Sequence, residues 1–303
     1  MRKIKFLCNK EINRIKWDDC IQSSVNSKIY AFSWYLDIVS DTWDCLVYGN
    51  YDLVFPIVVK KNILFNKITH PLFCQQLGPF SSSSSLLKDP KIYADIITFL
   101  DKNYKNFEFA INHDCAQMFK ARIESKHANI KYVDRINLEL NLSKDYRVIF
   151  NNYSNNTKRH LKKNQDCNFS IRLMNDLDTF MNILKQYVGD KANLKSNHYS
   201  VIRDLISISL DQGLGYLSAL YNHKKEVLAI SFILTHQNRD ILLFNASTKL
   251  IEFNAMTVLV DDYIQKECLK NKVLDFEGSN IPGVKRFYKG FGALERNYIN
   301  IQK

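Results

Sequence analysis

Residues 273–293 read VLDFEGSNIPGVKRFYKGFGA, and this stretch carries the most specific pattern in the chain. Its first residues are apolar and predict a strand. Asp275 and Glu277 point to the same face of that strand, because alternate residues share a face. Two carboxylates at the end of a buried strand are candidates for accepting a proton, directly or through water. The stretch therefore predicts a strand that delivers two candidate catalytic bases.

A short helix is predicted to follow that strand. Ser279 or Asn280 is placed to cap the helix, and Pro282 suits its first turn. Backbone N–H groups at such a helix start can hold a phosphate or a carboxylate. Arg286 and Lys289 lie three residues apart and so share one side of the helix. An ordinary capped helix with solvated cations has the same pattern, and both interpretations stay open on the pattern alone.

The composition is that of a folded globular protein. The chain has 303 residues, of which 46% are hydrophobic and 24% charged. The sequence contains no run of about eighteen apolar residues, so we expect no membrane span. The N-terminus lacks an apolar signal core, so we expect a cytoplasmic location. The seven cysteines lack C-x-x-C spacing and the seven histidines do not cluster, so we expect free thiols and no metal site.

The charge balance favours anionic partners. Lys and Arg number 42 against 31 Asp and Glu, which gives a net charge of +11. Such a charge suits tRNA, phosphorylated lipid intermediates, nucleotides or CoA, and it is compatible with contact at a membrane surface. The charge alone does not choose among these partners.

Helices and strands follow a similar order in the two halves of the chain. Each half is predicted to run from helices through hairpin strands to a further helix and strand, a mixed α/β order that suggests a duplication. The boundary is predicted at Ser143, as the N-cap of one helix that reaches the basic cluster. We therefore predict an N-terminal domain of residues 1–142 and a C-terminal domain of residues 143–303.

That basic cluster consists of Lys158, Arg159, Lys162 and Lys163. Their spacings of three and four residues predict a cationic stripe on a helix. Such a stripe can clamp the phosphate of a nucleotide or the pyrophosphate of a lipid carrier. It can equally be a solvated helix end whose cations complement the helix dipole.

Polar and aromatic residues in the first half are candidates for orienting a sugar or peptide acceptor. They are Tyr35 in the segment SWYLD and the pair Gln75 and Gln76 in QQLGPF. Amides and aromatic rings commonly line binding clefts. Trp34, which neighbours Tyr35, is instead predicted to lie in the core.

A predicted strand at residues 240–247 ends in polar groups. Asn245 and Ser247 point the same way and can hydrogen-bond the amide of an acyl donor. Ordinary satisfaction of backbone groups at a strand end explains them equally well. The helix that follows from Asn254 carries an apolar stripe, which we interpret as a core face and nothing more.

The loop between that strand and helix reads KLIEFN over residues 249–254 and contains no glycine. A CoA pyrophosphate is usually cradled there by backbone N–H groups that approach closely, which glycine permits. Glu252 adds repulsion. The loop therefore predicts weak binding of acetyl-CoA.

The segment DFEGS…PG…FYKGFGA resembles the C-terminal signature of FemABX-like transferases and their GNAT (N-acyltransferase) relatives, and QQLGPF, SWYLDIVS and NTKRHLKK extend the similarity over nearly the whole chain. The resemblance implies two tandem GNAT-like lobes with an acceptor in the cleft between them. It implies an acyltransferase that moves an acyl or aminoacyl group from an activated donor to an amine, for which a cell-envelope precursor is one candidate.

The resemblance also implies roles for individual residues. Many FemABX members carry a Phe-Lys pair before the final Phe-Gly, whereas here Tyr288 separates Phe287 from Lys289. We expect Lys289 or Tyr288 to stabilise an oxyanion, and Asp275 or Glu277 to accept a proton.

The donor and two rival functions stay open. No tightly bound cofactor is expected, and the donor implied by the resemblance is an aminoacyl-tRNA or an acyl carrier, with acyl-CoA as a further candidate. Members that act on tRNA often carry a coiled-coil hairpin, and this chain has no heptad run. The rivals are a non-catalytic anion- or RNA-binding module and an acetyl-CoA-dependent N-acetyltransferase.

Overall fold

The structure of the chain is a computed structural model that describes residues 4–61, 66–127, 129–165, 167–248, 254–278 and 281–303. The chain divides into two units. Unit 1 comprises Met1–Arg135 and Asn297–Lys303, and unit 2 comprises Ile136–Arg296. This division differs from the predicted boundary at residues 142 and 143 in two places. Residues 136–142 belong to unit 2, and residues 297–303 return to unit 1.

Helices and strands alternate through both units, and their bounds are as follows. The α-helices are α1 (Arg14–Ser23), α2 (Ser33–Val39), α3 (Ser84–Leu87), α4 (Pro90–Asn103), α5 (His113–Lys126), α6 (Tyr146–Asn151), α7 (Asn155–Lys163), α8 (Leu177–Val188), α9 (Ser196–Asp211), α10 (Ala255–Glu267) and α11 (Pro282–Lys289). The strands are β1 (Ile4–Leu7), β2 (Trp43–Tyr48), β3 (Leu53–Lys61), β4 (Asn66–Ile68), β5 (Glu108–Ile111), β6 (Lys131–Arg135), β7 (Leu138–Asn141), β8 (Ser170–Leu173), β9 (Gly215–Tyr221), β10 (Val227–His236), β11 (Arg239–Ser247), β12 (Val273–Asp275), β13 (Leu294–Glu295) and β14 (Tyr298–Gln302).

Unit 2 is built on a seven-stranded sheet in the order β13-β7-β12-β11-β10-β9-β8. Only the β11–β12 pair is parallel among its pairings. The interior strand β10 reads VLAISFILTH and is buried over most of its length, as expected for a strand covered on both faces. Unit 2 is therefore a mixed α/β unit, as the sequence predicted.

Unit 1 has two antiparallel sheets, β1-β2-β3-β4 and β5-β14-β6. A parallel bridge between Ile68 and Phe107 joins them next to β5. Across this bridge, the strand order of unit 1 is β1-β2-β3-β4-β5-β14-β6. Unit 2, read from its other edge, has the order β8-β9-β10-β11-β12-β7-β13, which matches it position by position. The tandem arrangement of two similar α/β units is thereby confirmed.

The two units exchange one strand each. Strand β7 follows β6 in the sequence but pairs with β12 and β13 of unit 2. Strand β14 follows β13 but pairs with β5 and β6 of unit 1. The first half of the sequence thus supplies β7 to the sheet of unit 2, and the second half supplies β14 to unit 1. For this reason no single boundary in the sequence separates the two units.

The single helix predicted from Ser143 is in fact two helices. Asp145, rather than Ser143, caps α6 by accepting a hydrogen bond from the backbone N–H of Arg147. Ser154 caps α7 by accepting from the backbone N–H of Thr157. A second cap inside a helical pattern starts a new helix, because its side chain replaces the preceding turn's carbonyl as the acceptor.

In the part of the chain that the structure describes, no helix combines the length and the apolar character needed to cross a membrane.

His70 in unit 1 is held in its neutral form. Its Nδ1 accepts a hydrogen bond from the backbone N–H of Ala110 at 3.2 Å, and its Nε2 lies 2.5 Å from the carbonyl oxygen of Cys74. This pattern requires the proton on Nε2 and a lone pair on Nδ1. Burial lowers the pKa of His70 to about 4, against an opposing effect of the Cys74 carbonyl.

We expect His70 to make the protein sensitive to acid. The unfolded chain binds a proton near pH 6.5 and the folded chain only near pH 4. Stability from this group is therefore complete above pH 6.5 and is lost as the pH falls towards 4, with a loss of about 2 kcal/mol by pH 5. Urea unfolding of wild type and His70→Gln at pH 7 and pH 5 checks this, since glutamine offers a donor and an acceptor without titrating. An equal loss in both proteins would contradict the role of His70.

Candidate active site

The parallel strands β11 and β12 separate towards their carboxyl ends. They pair only from Arg239 to Ile241, opposite Val273 to Asp275, and β11 then continues to Ser247. In the described ranges, β11 has no ladder partner on this side beyond Ile241. Ligands of α/β proteins commonly bind outside the carboxyl ends of parallel strands. The opening beside β11 is therefore a candidate position for the active site.

A β-bulge lies in the same part of β11. Phe232 pairs with Phe244 and Ile233 pairs with Leu242, so Leu243 has no residue opposite it on β10. A bulge takes backbone groups out of the ladder and redirects side chains, and bulges are frequent next to active sites.

Asn245 and Tyr288 meet across this opening. Asn245 lies on β11, and its Nδ2 donates a hydrogen bond to Oη of Tyr288 on α11 at 3.2 Å. The ring of Tyr288 stacks on Phe276, with centroids 4.7 Å apart and an interplanar angle of 20°. These contacts fix the position of the hydroxyl. Two residues predicted from separate segments are thus brought together.

The surroundings of Tyr288 keep its hydroxyl protonated. Burial raises the pKa of Tyr288, the hydrogen bond from Asn245 opposes this shift, and the charge of Glu277 adds to it. A neutral phenol that already accepts from Asn245 keeps its own proton for donation. Tyr288 can therefore donate a hydrogen bond to an oxygen that gains negative charge.

Glu277 is placed by a loop of unusual backbone conformation. Its φ is 58° and that of Gly278 is 83°, both in the left-handed region. The backbone N–H of Glu277 donates to Oδ1 of Asp275 at 2.8 Å. A Cβ on Gly278 would lie 2.2 Å from the carbonyl oxygen of Ile136, so only glycine fits there.

Asp275 belongs to a buried ion-pair cluster, which does not suit the role of proton acceptor predicted for it. Its Oδ2 lies 2.6 Å from Nη1 of Arg239, and Glu139 lies 2.8 Å from the same nitrogen. The side chain of Asp275 is 4% exposed. The cluster joins β7, β11 and β12 where the strands begin to separate. Of the two predicted bases, Glu277 is the better placed because Asp275 neutralises a buried cation.

A pocket of about 600 Å³ lies on another face of α11, between that helix, α7 and the start of α10. It is lined by Ser154, Asn156, Thr157, His160, Asn254, Thr257, Gly283, Arg286, Phe287, Lys289 and Gly290.

Arg286, which was predicted to bind substrate, and Lys289, which was predicted to stabilise an oxyanion, both line this pocket. Arg286 is exposed there. Lys289 also lines it, but its Nζ lies 2.7 Å from Oε1 of Glu295, which Lys285 also contacts at 2.9 Å. Lys289 and Lys285 together lower the pKa of Glu295. Arg286 is therefore the better candidate for an incoming phosphate, and Lys289 is already engaged.

The four residues of the basic cluster on α7 do not all lie at one pocket. Lys158 and Lys162 line a second pocket, whereas Arg159 and Lys163 are exposed outside it. The Nη2 of Arg159 donates to Oδ1 of Asn156 at 2.6 Å. Lys158 and Lys162 are four residues apart and so share one face of α7. Arg159 and Lys163 are also four residues apart, and they lie on the neighbouring face.

The residues of unit 1 that were predicted to orient an acyl acceptor take part in packing and hydrogen bonds within that unit. Tyr35 is fully buried and its hydroxyl donates to the carbonyl oxygen of Phe73, whereas Trp34, which was predicted to be core, is only half-buried. Gln76 is buried, bonds to Gln75, and accepts from the backbone N–H of His113 at 3.1 Å. Tyr35 and Gln76 thus help to hold the loop before Gly78, and their contact with an acceptor stays a prediction.

The remaining predicted residues lie at the edges of what the structure describes. Ser247 is half-buried at the end of β11. Ser279 and residues 249–253 of the glycine-free loop lie outside the described residues.

Several polar residues of unit 2 were not predicted. His160 lines the 600 Å³ pocket, and its Nδ1 is buried without a hydrogen-bond partner in the described part of the chain. Burial lowers the pKa of His160, and Arg159 and Lys163 lower it further. Asp261 lies on the apolar stripe of α10 that was interpreted as core alone. The carboxylate of Asp261 within this apolar stripe was the sequence signal that could have indicated a polar role for the residue.

No group of three or more His, Cys, Asp and Glu side chains that could hold a metal ion is found among the described residues.

Comparisons of the whole chain with solved structures show extensive similarity at low identity. FemX aligns with a TM-score of 0.68 and 10% identity over 97% of this chain and 96% of its own. L-PGS from Bacillus licheniformis aligns with a TM-score of 0.56 and 9% identity over 95% and 90% of the two chains. A tandem GNAT protein from the clavulanic acid biosynthesis pathway aligns with a TM-score of 0.55 and 9% identity over 99% and 98%.

Sequence comparisons give a different and shorter match. No protein-family model matches the chain. Over 118 residues it is 30% identical to a GDP-mannose pyrophosphatase from Pectobacterium atrosepticum, which covers 38% of this chain and 57% of that protein. The chain thus spans little more than half the length of that relative. The structural similarity, by contrast, extends over both units, and the chain shares its fold with FemX and with the tandem GNAT protein.

Proposed function

We propose that the protein is an acyltransferase that moves an acyl or aminoacyl group from an activated donor to an amine. The observation that carries this proposal is the Asn245–Tyr288 pair at the open carboxyl end of β11, with Glu277 beside it. The fold shared with FemX and the tandem GNAT protein supports the reaction class.

The proposed reaction needs alignment, an oxyanion donor and a proton acceptor. The amine nitrogen attacks the carbonyl carbon of the donor ester or thioester, and the carbonyl oxygen becomes an oxyanion. The Tyr288 hydroxyl donates a hydrogen bond to that oxyanion. Glu277 takes the proton released by the amine, through water. As the intermediate collapses and the carbon–oxygen or carbon–sulfur bond breaks, that proton passes to the leaving oxygen or sulfur, which departs as an alcohol or thiol.

The pocket next to α11 suits a phosphate-bearing part of a substrate. Arg286 presents a fork of N–H donors, and the neighbouring Thr157 and Asn254 add polar side chains. Helix α11 carries both Arg286 and Tyr288, on different faces. We propose that this pocket binds a phosphate group of the donor or of a phosphorylated acceptor.

We expect Arg286→Ala to weaken binding of inorganic pyrophosphate at least tenfold, because a charge-assisted hydrogen bond contributes about 1.5–3 kcal/mol. Titration calorimetry at low salt measures this. Lys285→Ala is the matched control, since it removes the same charge from the same helix outside the pocket. Equal losses in the two variants would assign the effect to overall charge and would contradict a phosphate site.

The proposed donor is an aminoacyl-tRNA or another carrier-bound acyl group rather than acetyl-CoA. The net charge of +11 suits a polyanionic donor, and the loop at residues 249–254 has no glycine for close approach of a pyrophosphate. A phosphorylated cell-envelope precursor is the proposed acceptor. If this precursor is attached to a lipid carrier, binding it would bring the basic protein to a membrane surface. Cytoplasmic location follows from these donors as part of the proposal.

The two rival functions give distinct results. A non-catalytic RNA-binding module would bind RNA with strong salt dependence and transfer no acyl group. An ordinary N-acetyltransferase would bind acetyl-CoA with micromolar affinity, about −8 kcal/mol.

A further inference from the structure

A second pocket of unit 2, of about 560 Å³, lies between α6, α7 and α10. It opens on a different face of α7 from the pocket that contains Arg286. Its lining combines aromatic, cationic and amide side chains, namely Tyr146, Phe150, Lys158, Leu161, Lys162, Asn164, Gln165, Val258, Asp261 and Gln265. The volume falls in the range of small-molecule sites.

Asn164 lines this pocket with an amide that lacks partners. The residue is only 6% exposed, yet neither Nδ2 nor Oδ1 has a hydrogen-bond partner in the described part of the chain. A buried amide in this state costs about 1–3 kcal/mol. A ligand that supplies the missing donor and acceptor would remove this cost.

Asp261 and two tyrosines make one wall of the pocket rigid. The carboxylate accepts from Oη of Tyr153 at 2.9 Å, from Oη of Tyr146 at 2.9 Å and from Nε2 of Gln265 at 2.7 Å. Burial raises the pKa of Asp261 against the effect of these donors. Because its lone pairs are largely used, Asp261 positions the tyrosines and leaves ligand recognition to other residues.

Next to Tyr146, the lining offers the ring face of Phe150 and two cations of α7. Lys158 Nζ lies 5.5 Å from the centroid of the Phe150 ring and donates to the carbonyl oxygen of Asn151 at 2.9 Å. Lys162 lies one turn further along α7 and is exposed at the pocket. A flat ligand with an attached phosphate matches this combination of aromatic surface and lysines.

We propose that this pocket binds an adenine nucleotide. An asparagine amide presents a donor and an acceptor side by side, and the N7 and N6 groups of adenine present the complementary pair. Guanine presents two acceptors at the same edge, so Oδ1 of Asn164 would stay unpaired. Phe150 or Tyr146 stacks on the base, and Lys162 pairs with the phosphate. The nucleotide is either free or part of an RNA strand, and the inference does not depend on acyl transfer.

Titration calorimetry of the full chain at low salt tests this site with AMP, GMP and a short oligoadenylate. We expect AMP to bind at least tenfold more tightly than GMP. We expect Asn164→Leu to weaken AMP binding at least tenfold while the melting temperature stays equal or rises, because an apolar side chain removes an unpaired amide. Similar affinities for AMP and oligoadenylate indicate a free nucleotide, and a much tighter oligoadenylate indicates RNA.

A pair of neighbouring lysines supplies the control. Lys162→Ala is expected to weaken AMP binding several-fold, and Lys163→Ala, which removes the same charge outside the pocket, is expected to change it less than twofold. Absence of AMP and oligoadenylate binding at millimolar concentration would overturn the proposal. Equal effects of the two lysine variants together with equal AMP and GMP affinities would overturn it as well.

Discussion

Replacing Arg239 by methionine should destabilise the protein by about 3–5 kcal/mol, because two carboxylates lose their shared cation in a buried place. Arg239 contacts Asp275 at 2.6 Å and Glu139 at 2.8 Å, and the side chains of these acids are 4% and 16% exposed. Burial opposes the charge of Arg239, but Asp275 and Glu139 outweigh it and raise its pKa. Chemical denaturation at neutral pH measures the loss.

The matched control is Arg203→Met. Arg203 forms an ion pair with Asp178 at 2.7 Å, but the two side chains are 45% and 79% exposed. An exposed pair of this kind contributes less than about 1 kcal/mol. Equal, small losses in both variants would show that the Arg239 cluster does not hold β7, β11 and β12 together.

Replacing Tyr288 by phenylalanine should lower kcat for acyl transfer about a hundredfold or more, because one oxyanion donor is removed. The ring still stacks on Phe276, so binding of substrate should change little. Steady-state kinetics with an aminoacyl donor separate kcat from KM and so distinguish a role in the reaction from a role in binding.

Tyr263→Phe provides the comparison for that variant. Tyr263 is also buried, and its hydroxyl donates to Asp240 at 2.5 Å, away from the opening beside β11. The substitution should cost stability and leave kcat unchanged. If Tyr263→Phe and Tyr288→Phe reduce kcat equally, the loss reflects stability and Tyr288 is not an oxyanion donor.

Local signals were enough to predict the segments that form the site. The apolar residues that open the stretch predicted β12, and the candidate caps with Pro282 predicted α11. Their order along the chain also predicted two similar α/β units. These features depend on neighbouring residues, and a sequence displays neighbouring residues directly.

Contacts between distant residues could not be predicted in this way. Arg239 reaches Glu139 across 100 residues, and no local pattern marks this pairing. The exchange of β7 and β14 depends on which sheet each strand joins, and their sequences suit either sheet. For the same reason Asp275 was interpreted as a base, although its partner lies on another strand.

The residues that line the second pocket could not be predicted from the sequence either. Asp261 and Asn164 are separated by 97 residues, the difference of their residue numbers, and they line one pocket because α7 and α10 pack together. The sequence shows Asn164 only as a polar residue after a basic cluster. Its burial without a partner is a property of the folded chain.

Mass spectrometry of amine acceptors incubated with the protein and an acyl donor is the measurement that decides the proposed function. Glucosamine and a lysine-containing peptide serve as acceptors, and aminoacyl-tRNA, acetyl-CoA and GDP-mannose are supplied in separate reactions. We predict that the acceptor gains the mass of an aminoacyl group with aminoacyl-tRNA and wild-type protein, and gains far less with Tyr288→Phe or with acetyl-CoA. Absence of a mass gain with either acyl donor, or cleavage of GDP-mannose in its place, would contradict acyl transfer at the opening beside β11.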